Sequence, residues 1–413
     1  MSEQQSPDTV AIIGASLAGA TAAKSLRELG FAGRIALVGS ETELPYERPP
    51  LSKGLLAGSD ERDSVFVDSA EWYEENDVEL RLSTVAVALD PASHTLTLDD
   101  GSALAYDKLL ITTGSAPRIL TVPGADRSGV HYLRSLGDSE ALHALIAGGH
   151  RRVVLIGSGW IGMEVAATAR ELGNEVTIIE RGSVPLASAI GTELGEIFAR
   201  LHREHGVTIL SSTGVERIVG GEEGVTGVQL SDGTLIAADL VVAAIGATPN
   251  VELAVSAGLA VDNGILVDSA LRTSDPDIFA AGDVANPMHP VLGERLRSEH
   301  WANAIGGGKA VARSILGLES SYDDIPYFFT DQFDLGMEFS GYIPLTRDAE
   351  LVFRGDRDSR EFVAFWVHDD RVVAGMNVNV WDVNEQVQSL IRGGKTVETG
   401  SLSDPEIDLD TLL

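Results

Sequence analysis

The chain has 413 residues, a formal net charge of −32 and no cysteine. That length allows two or three domains with cores of their own, and the acidic balance argues strongly against a nucleic-acid partner, which needs a basic footprint. The missing cysteine excludes disulfides, thiolate metal sites and a redox-active dithiol, and no metal centre is expected. No apolar run approaches the length of a membrane span, and residues 1–8 carry no basic charge, so a cytoplasmic protein is expected. The acid itself reads as solubility or adaptation to salt.

The first strand, Val10-Ala-Ile-Ile, stops at Gly14, and a helix of small residues starts at Gly19 and runs to Leu29. Gly14 allows a tight turn, Ser16 and Ala18 let the backbone approach a pyrophosphate, and the helix N-terminus presents free N–H groups to it. Ser16 stands where the dinucleotide fingerprint usually has its middle glycine. A second strand over 34–40 runs through Ser40 to Glu41, about where a ribose-binding acid belongs. The loop Arg48-Pro-Pro50-Leu-Ser-Lys53 follows. It reads either as a rigid connection capped by Ser52, or as a device delivering Arg48 and Lys53 to a bound pyrophosphate. Only Lys24, Lys53, Lys108, Lys309 and Lys395 are lysines, which favours the second reading. Short strands are expected over 78–82, 85–89 and 94–98, and a buried strand over 106–117 ends in the turn at Thr113-Gly114.

The opening pattern then returns in full as Val153-Val-Leu-Ile-Gly157-Ser-Gly159-Trp160-Ile161-Gly162-Met-Glu164. A helix to Leu172 and a strand over 175–180 ending in Glu180 complete a dinucleotide-binding unit. Glu180 favours a ribose 2′-hydroxyl over a 2′-phosphate, although Arg181, next in the chain, could accommodate the phosphate. Strands follow over 207–210, 215–219, 227–230 and 235–237, and another ends at Gly246. The strand 277–281 ends in Gly282-Asp283, which puts a carboxylate at the carboxyl edge of a sheet or at a helix N-cap. A helix from about Asn303 to Leu316 is opened by Gly306-Gly-Gly308. Aromatic-rich strands over 327–333, 361–367 and 371–378 and a helix over 383–392 close the chain as an α+β domain.

Taken in order, Gly14–Gly19, the loop to Lys53, Thr113-Gly114, Tyr132-Leu-Arg134, Gly157–Glu164, Gly246, Gly282-Asp283 and Pro326-Tyr-Phe-Phe-Thr-Asp-Gln332 resemble the FAD-dependent ferredoxin reductases of bacterial cytochrome P450 and aromatic-ring dioxygenase systems. The resemblance covers nearly the whole chain. It implies an α/β fold with two Rossmann-like dinucleotide-binding domains: a discontinuous FAD domain over 1–114 and 246–323, interrupted by an NAD domain over 115–245. A C-terminal α+β domain over 324–413 follows.

It also implies residue roles. Gly14, Ser16, Ala18 and Gly19 would hold the FAD pyrophosphate, with Ser40 and Glu41 at the ribose. Arg48, Pro50, Lys53, the Val85 backbone, Thr113, Gly114, Arg134, Gly282, Asp283, Trp301 and Phe329 would complete the FAD site. Gly157, Gly159, Trp160, Ile161, Gly162, Glu180, Arg181 and Gly246 would serve NADH. Glu164 would face the carboxamide and pair with Lys53, and these two would be the catalytic residues. Phe329 departs from a common tryptophan, and the run Gly306–Gly308 departs from a common Glu-Gln.

The implied activity is transfer of electrons from NADH through FAD, singly, to a [2Fe-2S] ferredoxin serving a cytochrome P450 or ring-hydroxylating oxygenase. Rubredoxin reductase and reductase of a quinone or radical are alternatives on the same scaffold. A flavin-bound signalling protein like apoptosis-inducing factor is disfavoured by the charge. Because ferredoxins are usually acidic, docking calls for local cations, and Arg295, Arg297, Lys309 and Arg313 are the candidates, with Lys309 first.

Overall fold

The computed structural model describes residues 7–413, so the segment 1–6, expected above to lack basic charge, lies outside it. The chain divides into two compact units. The first comprises Met1–Glu47, Asp63–Ala116 and Ala247–Pro326. Its centre is a five-stranded parallel sheet in the order Ile278–Ala280, Lys108–Ile111, Thr9–Ile13, Arg34–Val38, Val78–Arg81. Parallel strands are covered on both faces, which is why these segments are continuously apolar and Val10, Ala11, Ile35, Leu109 and Ile278 are wholly buried. An antiparallel meander, Ala86–Asp90, Thr95–Leu98 and Ala103–Ala105, is inserted between the third and fourth strands in sequence.

Two helices of this unit explain the glycine run. The helix Leu17–Glu28 buries a face of small residues, and the helix Trp301–Ile315 lies against it. A Cβ added at Gly308 would sit 2.9 Å from the carbonyl oxygen of Ala18 and 2.9 Å from Thr21 Cβ. One added at Gly306 would sit 2.0 Å from Asp324 Oδ2. The glycines lie in the second turn of a helix that begins at Trp301, rather than opening it, and they permit the close approach. Alanine would gain about 1 kcal/mol of helix propensity but lose more to overpacking against backbone, so Gly308→Ala should lower stability by about 1 to 2 kcal/mol net. A urea midpoint equal to or above wild type would contradict the close approach.

The second unit comprises Arg48–Arg62, Pro117–Gly246 and Tyr327–Leu413. It repeats the design with a five-stranded parallel sheet, Thr208–Leu210, Glu175–Ile179, Arg152–Ile156, Leu240–Ala243, Val130–His131. Its antiparallel meander is Val215–Gly221, Gly224–Leu230 and Leu235–Ala237. The same unit carries a five-stranded antiparallel sheet ordered Tyr327–Gln332, Leu335–Gly341, Arg371–Val378, Glu361–His368, Glu350–Asp356. The expected fold class, two Rossmann-like domains with a C-terminal α+β domain, is the one observed. Among the described residues no helix is long and apolar enough to cross a membrane.

Candidate functional site

Each parallel sheet has its glycine turn at the end of its central strand. In the first, Gly14 takes φ +114°, and a Cβ there would lie 2.1 Å from the carbonyl oxygen of Thr112. The Thr112 hydroxyl lies 3.0 and 2.9 Å from the carbonyl oxygens of Ile13 and Gly14 and shares its one proton between them, stitching the neighbouring strand to the turn. In the second, Gly157 takes φ +100° with its Cβ position 2.3 Å from the carbonyl of Ala244, and Gly162 lies against the carbonyl of Gly157. The partner strands end in glycines that also require positive φ, Gly114 at +65° and Gly246 at +101°. These are the switch points at which open α/β sheets take nucleotides.

The helices that follow fit a pyrophosphate. Ser16 and Gly159 occupy the N-cap positions of Leu17–Glu28 and Trp160–Glu171; neither helix has a side-chain cap or an acidic residue in its first turn. The N–H groups and positive dipole end are therefore left for an anion. A Cβ at Gly159 would meet no protein atom within 4 Å, so the space over that turn is open for a ligand. At the end of the next strand the Glu180 carboxylate accepts from the Ser158 backbone N–H at 3.0 Å, from the Ser158 hydroxyl and from the Gly182 N–H. It is held at the rim of the second turn. Arg181 is exposed.

The remaining first-unit residues are placed as follows. The Tyr46 hydroxyl donates to Glu41, and Ser40 is exposed. The Val85 N–H donates to Asp99 and its carbonyl accepts from the Asp99 N–H. Thr113 and Asn250 exchange side-chain to carbonyl hydrogen bonds at 2.8 Å. Gly282, at φ +74°, opens a single 3₁₀ turn containing Asp283, so Asp283 is not a helix N-cap; Ala281 has that position. Trp301 is the first residue of its helix. Among the cations, Arg295 donates to the carbonyls of Val267 and Asn286, Arg297 to the carbonyl of Asp283 and to Glu299, and Arg313 to the carbonyl of Glu319. Lys309 is exposed.

In the second unit Lys53 Nζ lies 2.7 Å from Glu164 Oε1, with side-chain exposures of 17% and 6%. The helix Trp160–Glu171 builds this pair. Residues four apart share a helix face. Accordingly Glu164 accepts from the Ser52 hydroxyl, while Thr168 donates to the Ser52 carbonyl at 2.9 Å. Ser139 holds the Leu51 carbonyl at 2.8 Å, so the loop that delivers Lys53 is fixed on both sides. Ser52 is thus a donor to Glu164 and not a helix cap, and no side-chain cap is present on the helix after Lys53. Lys53 Nζ also lies 5.5 Å from the centre of the Phe329 ring. Pro50 belongs to the 3₁₀ turn Pro49–Ser52, and Arg48 donates to the Arg134 carbonyl. Trp160 packs against Phe198 and Phe328 with ring centres 5.6 and 5.1 Å away, and Ile161 is exposed.

Residues 8–308 match the pyridine nucleotide-disulphide oxidoreductase family, and residues 327–413 match the reductase C-terminal family. The chain belongs to the pyridine nucleotide-disulphide oxidoreductase family. It is similar to a probable ferredoxin reductase of Castellaniella defragrans, 38% identical over 98% of each chain. It is equally similar to the ferredoxin–NAD(+) reductase component of the anthranilate 1,2-dioxygenase system of Burkholderia cepacia, 38% identical over 99% of this chain and 100% of the relative. Among solved structures, that of a covalent putidaredoxin reductase–putidaredoxin complex matches with a TM-score of 0.94 and 34% identity, covering 99% of this chain and 98% of the other. This member of a family named for disulphide chemistry carries no cysteine.

Two residues of this oxidoreductase that sequence reading did not assign complete the environment of Glu164. The Thr330 hydroxyl donates to Glu164 Oε1 at 2.6 Å, and Gln332 Nε2 reaches Thr330 at 3.1 Å. Beyond them His202, wholly buried, meets Gln332 at 2.9 Å. Burial pushes the His202 imidazole down to about 4, with His205 adding to the shift and Gln332 opposing it. The unfolded chain therefore binds a proton at His202 below its ordinary pKa while the folded chain does not. Stability is lost as pH falls from about 6.5 toward 4, by about 3 kcal/mol from this residue. His202→Phe should flatten the pH dependence of the urea midpoint across that window; an unaltered slope would contradict the assignment.

Proposed function

We infer that this chain is an NADH-dependent, FAD-containing reductase that passes electrons singly to a [2Fe-2S] ferredoxin serving a cytochrome P450 or ring-hydroxylating oxygenase. The observation that carries this reading is the pair of glycine turns, each with an uncapped helix N-terminus, in a chain without cysteine. The first turn takes FAD and the second NADH. FAD held at the first turn would supply the conversion of a hydride from NADH into single electrons.

The chain's own residues bind, orient and set charge. Gly14, Ser16, Ala18 and Gly19 hold the FAD pyrophosphate, and Gly157, Gly159 and Gly162 hold that of NADH. Lys53 favours negative charge on the flavin, while Glu164 fixes the ammonium group and anchors the carboxamide. A thiol relay is not needed, since the acceptor takes electrons directly. Lys309 contributes the docking cation, and the working enzyme is cytoplasmic, where NADH is supplied.

Purified protein should be yellow, with one FAD per chain bleached by NADH under anaerobic conditions. Colourless protein that FAD cannot reconstitute would overturn the reading. Glu180 accepts from a ribose 2′-hydroxyl and repels a 2′-phosphate, so NADH should exceed NADPH in kcat/KM, and Glu180→Ala should narrow that gap at least tenfold, about the worth of one charge-assisted contact. Equal kcat/KM for the two nucleotides in the native protein would contradict the role of Glu180.

A further inference from the structure

Glu164 does not end at Lys53 and Ser52. On the strand Tyr327–Gln332 burial alternates, so Phe328, Thr330 and Gln332 turn inward and Asp331 turns out. Thr330 and Gln332 thereby face the helices Trp160–Glu171 and Thr192–Glu204, which carry Glu164 and His202. Glu164, Thr330, Gln332 and His202 are at most 5% exposed. They form one continuous row of contacts, 2.6 Å from Thr330 to Glu164, 3.1 Å from Gln332 to Thr330 and 2.9 Å from His202 to Gln332.

The direction of every link follows from the carboxylate, which in its ionised form can only accept. Thr330 must donate its single proton to Glu164 Oε1, so its oxygen can only accept from Gln332. That turns Gln332 Nε2 toward Thr330 and Gln332 Oε1 toward His202. His202 must then donate from Nε2, leaving Nδ1 without a proton. Nδ1 is buried and meets no hydrogen-bond partner among the described residues, so in this tautomer it is an unpaired acceptor rather than an unpaired N–H. The row is a one-way line of donors aimed at a single oxygen, and that oxygen is the one that holds Lys53 Nζ.

We propose that Thr330, Gln332 and His202 are positioning residues that lock the Glu164 carboxylate, and through it Lys53, for flavin reduction by NADH. The proposal rests on the reductase reading for its kinetic consequence, but the hydrogen-bond line is a property of the chain alone. Without the Thr330 donor the carboxylate keeps Ser52 on Oε2 and Lys53 on Oε1, and Oε1 loses the neutral donor that fixes its direction beside the ammonium group.

Two substitutions separate positioning from packing. Thr330→Val keeps the shape and removes the hydroxyl; Thr330→Ser keeps the hydroxyl and loses a methyl. Positioning predicts flavin reduction by NADH about tenfold slower in Thr330→Val and within about twofold of wild type in Thr330→Ser, as for loss of one charge-assisted hydrogen bond. It also predicts a lower urea midpoint for valine than for serine. Nitrogen-15 NMR of labelled histidine, with His202 assigned by its absence in His202→Phe, should show the proton on Nε2, and Gln332→Leu should abolish that fixed tautomer. Valine outperforming serine in both rate and stability, or a His202 proton on Nδ1, would overturn the proposal. A wild-type protein that NADH cannot reduce would defeat the reductase reading instead, and the stability order and tautomer would still decide the line of donors.

Discussion

Gly14→Ala is expected to give a chain that neither folds stably nor retains flavin. The added Cβ would stand 2.1 Å from the Thr112 carbonyl oxygen and 2.5 Å from its carbon, both main-chain atoms of the buried residue that directly follows the neighbouring strand. Neither can move without breaking the parallel pairing of Lys108–Ile111 with Thr9–Ile13. The residue would also be held at φ +114°, a region that L side chains rarely adopt. Overpacking and backbone strain together amount to about 3 to 5 kcal/mol, a large part of the stability of an ordinary domain. Gly159→Ala is the control. Its Cβ meets no protein atom within 4 Å, so the fold should lose at most about 1 kcal/mol, through a poorer N-cap, while NADH binding weakens. Urea unfolding and flavin content of the two variants check both statements, and equal behaviour of the two glycines would contradict the geometry.

Lys53→Met should be the most damaging exchange of a single charge. It leaves a carboxylate with 6% side-chain exposure facing two hydroxyl donors without its Lys53 partner. Breaking a buried pair from one side costs about 3 to 5 kcal/mol, and the remaining donors place the expected loss near the lower bound. Glu164→Gln alone leaves an ammonium group that is less buried, and costs less. The double variant removes both charges, so its loss should fall short of the sum of the single losses by about 1 to 3 kcal/mol, the coupling of a contacting pair. Additive losses in a double-mutant cycle would reduce the pair to a chance surface contact. In the same variants flavin reduction by NADH should slow while FAD stays bound.

The parts of this fold that were legible from sequence are those fixed by backbone sterics. Gly14, Gly157 and Gly246 stand where positive φ or a carbonyl within reach of a Cβ leaves only glycine, and apolar runs mark strands covered on both faces. The helices Leu136–Ile146 and Thr192–Glu204 and the strands Leu335–Gly341 and Glu350–Asp356 are absent from the sequence expectations, although the capping box of Ser135 and Asp138 marks the start of the first of them. The run Gly306–Gly308 was visible but its cause was not, because it lies in a second helix brought alongside Ala18 and Thr21. Ser52, expected only as a cap, and Thr330 make contacts with Glu164 that are illegible in the sequence for the same reason. Each is a short polar side chain that acquires meaning only when tertiary folding brings it to Glu164, 112 and 166 positions away. The inward set of Phe328, Thr330 and Gln332 was nonetheless implied by strand alternation, the one signal that could have found the line to His202.

With a charge of −32 the chain repels an acidic ferredoxin at long range. Screening confines that repulsion to about 8 Å at physiological salt, which leaves docking to local groups, the part proposed for Lys309. The decisive measurement is therefore NADH-driven reduction of cytochrome c by the flavin-loaded protein, with and without a [2Fe-2S] ferredoxin, across a salt series. Reduction should depend on the ferredoxin, saturate with it, and pass through a maximum as salt first relieves the global repulsion and then weakens local contacts. Rapid bleaching of the flavin by NADH together with cytochrome c reduction indifferent to ferredoxin would contradict that dependence.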